Sequence, residues 1–260
     1  MQLIDTHTHL HYHSFDDDRD AVMQRAFAAG VAQLVTLGTD VASCHQALAL
    51  ADAHPKVFAC VGIHPSEAHL AKPGDADIIR ELAKSHPKVV AIGEIGLDFY
   101  WETEHHAAQY GVFRQMIDIA QALDFPVVIH NRSAQREMQW FFQEEKIERL
   151  NGVMHCFAGD TIDAEFYLEM GLHISFTASI TYQSFDENVA KIVPLDRTMI
   201  ETDSPYIAPS KSKKKRNEPA NVLAVAQKLA EIHNLPVAEV ARITTENARR
   251  FFRLPNLIDE

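Results

Sequence analysis

The segment VAQLVTLGTDVASCHQALALADAHPKVFACVGI, residues 31–63, decides the fold. Residues 31–37 and 57–63 are short apolar runs with the length and β-branched content of buried strands, and residues 42–53 between them are helix formers. Strand, helix, strand in that order is the unit from which parallel sheets are built. The same alternation extends in both directions. Upstream, Leu3 and Ile4 lead a strand, and Asp16, Asp17 and Asp18 precede an apolar helical stripe that stops at Gly30. Downstream, strands are expected at 89–92, 127–129, 153–154, 173–176 and 198–200. They are separated by helices at 75–86, 103–123, 133–145, 162–170 and 185–192. Beyond the last strand come a helix at 222–232, entered through Asn217-Glu218-Pro219, and two short terminal helices at 236–242 and 246–252. Eight strand–helix units in one chain predict an α/β fold, the (β/α)8 TIM barrel with short additional C-terminal helices, as a single domain over residues 1–260. A doubly wound open sheet is the competitor, and it is disfavoured because no glycine-rich phosphate fingerprint follows any strand.

Composition narrows the function classes. A formal net charge of -12 argues against broad adhesion to nucleic acid, so an anionic substrate must be drawn in locally by bound metal or a basic patch. Cys44, Cys60 and Cys156 are an odd set without paired spacing, as expected for reduced thiols in a cytoplasmic protein. No basic-then-apolar leader is evident, and no run is apolar enough for a membrane span.

A barrel makes a sharp demand, because its reactive groups come from the C-terminal ends of several strands. The polar residues meet it. The first strand ends in Asp5-Thr6-His7-Thr8-His9, and alternation along it places Asp5, His7 and His9 on one face. Later strands end in Gly62-Ile63-His64-Pro65, Gly93-Glu94-Ile95-Gly96-Leu97-Asp98, His130-Asn131-Arg132, His155-Cys156-Phe157 and Glu201-Thr202-Asp203-Ser204. One histidine after a strand is ordinarily a hydrogen-bonded core residue; a ring of them with carboxylates is a ligand set. His7, His9, His130 and His155 with Glu94 and Asp203 exceed the needs of one tetrahedral ion. Two divalent ions sharing Glu94 is the economical arrangement, with Asp203 holding one ion and taking a proton from the attacking water. Such mixed nitrogen and oxygen donors accept Zn, Mn, Ni or Mg.

Taken together, DTHTHLH, GIHP, GEIGLDF, IHNR, HCF, ETDSPY and RNEP, spread in order over nearly the whole chain, resemble the TatD family of metal-dependent deoxyribonucleases. Thr244 to Phe252 matches that family's closing segment. The resemblance implies an amidohydrolase-type TIM barrel with one ion on His7, His9, Glu94 and Asp203 and a second on Glu94, His130 and His155. It also implies 3'-5' exonuclease-like hydrolysis of DNA with His64, Arg132 and Asn217 touching phosphate. The sequence departs at Asn131 and at Ala158-Gly159-Asp160, which bears on substrate preference.

On this footing Asp203 is the expected general base, and His64 and Arg132 are the expected phosphate contacts. Lys211, Lys213, Lys214, Lys215 and Arg216 follow the eighth strand and offer a basic loop to a nucleic-acid backbone, single-stranded DNA or ends. Phe99, Tyr100, Trp101 and Tyr206 sit where exposed bases could stack. The alternative is a two-metal hydrolase of an ester or amide, for example an aminoacyl-tRNA ester. Against cyclic-amide chemistry, the only lysine of the fourth strand unit, Lys88, lies at the end remote from Glu94.

Overall fold

The computed structural model describes residues 1–101, 103–212 and 216–256. Its eight strands are β1 (Leu3–Thr8), β2 (Val31–Leu37), β3 (Val57–Val61), β4 (Val89–Asp98), β5 (Val127–Arg132), β6 (Gly152–Met154), β7 (His173–Phe176) and β8 (Thr198–Ile200). They lie in one sheet in chain order, each parallel to the next. The first strand meets the segment after the last one. Thr8 bridges Ser204 in parallel, the His9 N–H donates to the Ser204 carbonyl at 2.7 Å, and the Asp203 N–H donates to the His7 carbonyl at 2.9 Å. The sheet is therefore closed into the expected TIM barrel.

Helices α1 (Arg19–Ala28), α2 (Val41–Ala53), α3 (Asp75–Ser85), α4 (His106–Leu123), α5 (Gln135–Glu144), α6 (Thr161–Glu169) and α7 (Glu187–Ile192) follow the strands, and α8 (Val222–His233) and α9 (Val237–Phe252) complete the chain. Reciprocal side-chain caps start two of them. Asp40 and Asp160 each accept from backbone N–H groups as the reciprocal cap of α2 and α6, so the Asp160 that departs from the family pattern earns its place as a helix start. One apolar cluster fills the layer between strands and helices. A second joins Ile4, Val35, Phe58, Val128, Val153 and Met199 to Phe251 and Phe252. Side chains from strands that are not neighbours meet only inside the barrel, so α9 plugs its base.

Two elements differ most from expectation. The terminal segments at 236–242 and 246–252 are one helix, α9. The intervening β-branched Ile243, Thr244 and Thr245 are weak helix formers, but Thr244 and Thr245 are buried and their hydroxyls donate to the Val240 and Gln2 carbonyls. Strand β4 runs six residues past the expected 89–92, through Glu94 to Asp98. Gly96 permits it, since at φ +141° a Cβ there would stand 2.0 Å from the His130 carbonyl oxygen of β5. No helix among the described residues is long and apolar enough to cross a membrane.

Candidate active site

The C-terminal ends of the strands surround a cavity of about 490 Å³ lined by His9, His64, Glu94, His130, Arg132, His155 and Asp203 among others. Strand direction puts them there: each follows or ends a buried apolar run whose side chains fix the backbone beneath. His7, His9, Glu94, His155 and Asp203 are buried, and His130 and His64 are nearly so.

Three of the four expected imidazole ligands have their tautomer set from behind. His9 Nδ1–H donates to the Leu37 carbonyl at 3.0 Å, His155 Nδ1–H to Glu201 Oε1 at 3.2 Å, and His130 Nε2–H to Asp98 Oδ2 at 2.9 Å. Carbonyl and carboxylate oxygens only accept, so each ring, when neutral as a cation ligand must be, keeps its proton outward and turns a bare nitrogen inward. These nitrogens face one another and Glu94. His130 Nδ1 lies 3.2 Å from His155 Nε2, and the two lie 2.7 and 2.8 Å from Glu94 Oε1. On the other side His7 Nε2 is 3.3 Å from both His9 Nε2 and Glu94 Oε2, His9 Nε2 is 3.6 Å from Glu94 Oε2, and Asp203 Oδ1 is 3.5 and 3.7 Å from His9 and His7.

Lone pair against lone pair is repulsive unless a positive charge stands between. Donors about 2.1 Å from a tetrahedral centre are separated by about 3.4 Å along each edge, which the His7, His9, Glu94 and Asp203 spacings match. The donor chemistry and spacing thus fit a divalent cation, and the two Glu94 oxygens face different donor groups.

Charge couples the rings to the carboxylates. Burial pushes the Glu94 carboxyl up, yet His155, His64, His7 and the His130 hydrogen bond together hold it well below the usual carboxylate range. Burial favours the neutral His155 ring, but Glu94 and Glu201 lift it well above its ordinary value. Asp203, opposed by burial and favoured by His9, His7 and His155, is also held down and therefore ionised at neutral pH.

His64 differs from the other rings. Its Nδ1 accepts the Ser66 N–H at 3.1 Å, so the neutral ring carries its proton on Nε2, 3.4 Å from Glu94 Oε1. That nitrogen donates and has no lone pair for a cation, which suits a phosphate contact. Arg132 reaches the rim with its guanidinium 4.3 Å from the Tyr100 ring centroid and 5.3 Å from that of Trp101. Tyr100, Trp101 and Tyr206 are exposed there, whereas Phe99 stacks on His106.

Two expected substrate contacts are placed otherwise. Asn217 is fully buried; its amide donates to the Thr202 and Ile207 carbonyls and its oxygen accepts from the Glu218 N–H and Asn221, so it braces the loop. Arg216 turns away to Asp18 at 2.7 Å and the Ser14 carbonyl at 2.5 Å, over the Phe15 ring, and fastens the loop to the segment before α1. Lys213, Lys214 and Lys215 of the basic run lie outside the described residues.

The sequence pointed to the converging rings and carboxylates but not to the groups behind them. Asp98 is buried and also accepts the Tyr100 and Trp101 N–H groups, and Glu201 is buried and also accepts from the Cys156 N–H and the Ser175 hydroxyl. Asp5 does not join the imidazoles; it accepts from the Thr202 N–H and hydroxyl, next to Asp203. A carboxylate at a strand end beside each ligand was the available signal.

The family model described as TatD related DNase matches residues 4–253. The uncharacterized metal-dependent hydrolase YabD of Bacillus subtilis is 38% identical over 97% of this chain and 99% of its own. The 3'-5' ssDNA/RNA exonuclease TatD of a Rahnella species is 34% identical over 92% and 94%. Among solved structures, YjjV, a TatD homologue from Escherichia coli K12, superposes with a TM-score of 0.91 at 28% identity, covering 97% of this chain and 98% of that one.

Proposed function

This chain belongs to the TatD family of metal-dependent hydrolases, and from that premise we propose that it cleaves phosphodiester bonds of single-stranded DNA or DNA ends, removing nucleotides in an exonuclease manner. The observation that carries this reading is the inward convergence of bare imidazole nitrogens on the two oxygens of Glu94. His7, His9, Glu94 and Asp203 would hold one divalent ion, and Glu94, His130 and His155 a second. Such ions, when bound, supply water activation and charge neutralisation at phosphate.

The chain's own groups do the rest. Asp203, ionised and at the cup wall, receives the proton of the attacking water. His64 donates from Nε2 to a phosphate oxygen, and Arg132 offers its planar fork to the same or the next phosphate. Trp101 and Tyr206 at the rim suit unstacked bases, which favours single strands over duplex. The free cysteines fit a reducing, cytoplasmic setting.

The test is turnover by the metal-loaded protein of 3′-labelled single-stranded DNA, a bis-aryl phosphodiester and an aminoacyl ester. Release of mononucleotides from the DNA together with cleavage of the small diester supports the proposal. Turnover of the aminoacyl ester alone replaces it with the carbonyl-directed alternative.

A further inference from the structure

At the opposite end of the barrel, where the strands begin, a second cavity of about 490 Å³ is lined by His173, Asp196, Arg197, Arg250, Phe251 and Arg253. His173 opens β7, Asp196 and Arg197 immediately precede β8, and Arg250, Phe251 and Arg253 lie at the end of α9, so the fold assembles them from three elements remote from the metal-site candidates. In a chain of net charge -12, three guanidiniums at one cavity are a local reversal of sign.

Their partners leave charge unanswered. Arg253 pairs with Asp124 at 2.7 Å. Arg197 donates to the Gly171 carbonyl and Arg250 to the Asn247 side-chain oxygen, both at 2.9 Å and both to neutral acceptors. Among the described residues neither has a carboxylate within ion-pair distance. Each bond uses one of five N–H groups, so the guanidiniums are oriented but most of their donors remain available. The charge is felt nearby: burial first, then Arg197 and Arg250, depress His173 to about 4, and Asp196 on the same wall raises it less.

We propose that this cavity is an anion site for a terminal phosphate group, clamped between Arg197 and Arg250 and separate from the hydrolytic centre. Guanidiniums approaching from two elements match a tetrahedral anion, which offers acceptor oxygens in several directions, better than a carboxylate, whose two oxygens share one plane. The volume exceeds that of phosphate alone and leaves room for an attached organic group such as a nucleoside.

The experiment follows the His173 imidazole signals by NMR in the metal-loaded protein, assigned with His173→Gln, during titration with inorganic phosphate, a nucleoside 5′-monophosphate, and 5′-phosphorylated or 5′-hydroxyl oligonucleotides. A saturable shift with a raised His173 pKa is expected, and the anion that saturates at the lowest concentration identifies the source of the phosphate. Arg197→Gln/Arg250→Gln should weaken the response at least about tenfold, with turnover of the small diester unchanged. Asp196→Asn removes the opposing carboxylate and should tighten binding several-fold, a gain that misfolding cannot imitate. A response to chloride equal to that for phosphate, a response unchanged in the double variant, or no tightening in Asp196→Asn overturns the proposal.

Discussion

Asp98 shows how much of the site hangs on single groups that aim other side chains. One of its oxygens fixes the His130 ring and the other holds the turn carrying Tyr100 and Trp101. Removing a carboxylate behind a ligating imidazole typically lowers metal affinity by about 10- to 100-fold. Asp98→Ala should do so while the protein stays folded, as read by competition with a fluorescent chelator; unchanged affinity would show that packing alone orients His130. Asp203→Asn tests a different group. An oxygen donor remains, so metal content should hold, but a proton acceptor is lost and turnover should fall by about 10²- to 10⁴-fold; unaltered turnover removes Asp203 from the role of base. The imidazoles were legible in the sequence because several apolar strands end in the same unusual residue types. Asp98 and Glu201 were visible in the same motifs, but nothing in linear spacing tells a carboxylate that binds a cation from one that aims a ring. Asn217 shows the converse, since its motif position does not reveal that its amide is engaged by the carbonyls of its own loop.

Elements carry the site through close backbone approach. Gly96 combines a left-handed φ of +141° with a Cβ position 2.0 Å from the His130 carbonyl oxygen, whereas Gly74, at φ +97°, has open space around it. Gly74→Ala should cost about 1 kcal/mol from backbone strain alone. Gly96→Ala should cost more than that and also weaken metal binding, because β5 and His130 must shift; urea unfolding of the two variants measures the difference, and equal losses would mean that β5 yields freely. Strand β7 carries a pH dependence. His173 titrates at about 4 in the folded chain against 6.5 ordinarily, so the unfolded chain binds a proton that the folded chain refuses. Its contribution is fully present above pH 6.5 and is lost as pH falls towards 4. His173→Gln should therefore lose less stability than the wild type between pH 7 and 5, seen as a smaller drop in urea midpoint; parallel drops would contradict the assignment. Short apolar runs located each of the eight strands, but the far end of β4 and the continuity of α9 escaped them. There the outcome depends on neighbours that a linear pattern does not reveal, namely β5 for β4 and the barrel base for α9.

Across the whole molecule, groups from residue 7 to residue 203 converge because eight parallel strands all end on one face of a closed barrel. That convergence was readable from strand-end chemistry alone; the anion cavity at the other face was not, since Arg197 and Arg250 lie 53 residues apart in unrelated segments and meet only in the folded chain. The same topology makes Glu94 the hinge of the account, with one oxygen turned to His7 and His9 and the other to His130 and His155. The most direct measurement is the metal content per chain, by elemental analysis after loading and removal of free ions, for the wild type and Glu94→Ala. Two ions in the wild type and fewer than one in the variant are predicted. A wild-type chain that retains none, or a variant that keeps both, contradicts the metal centre from which the function was derived.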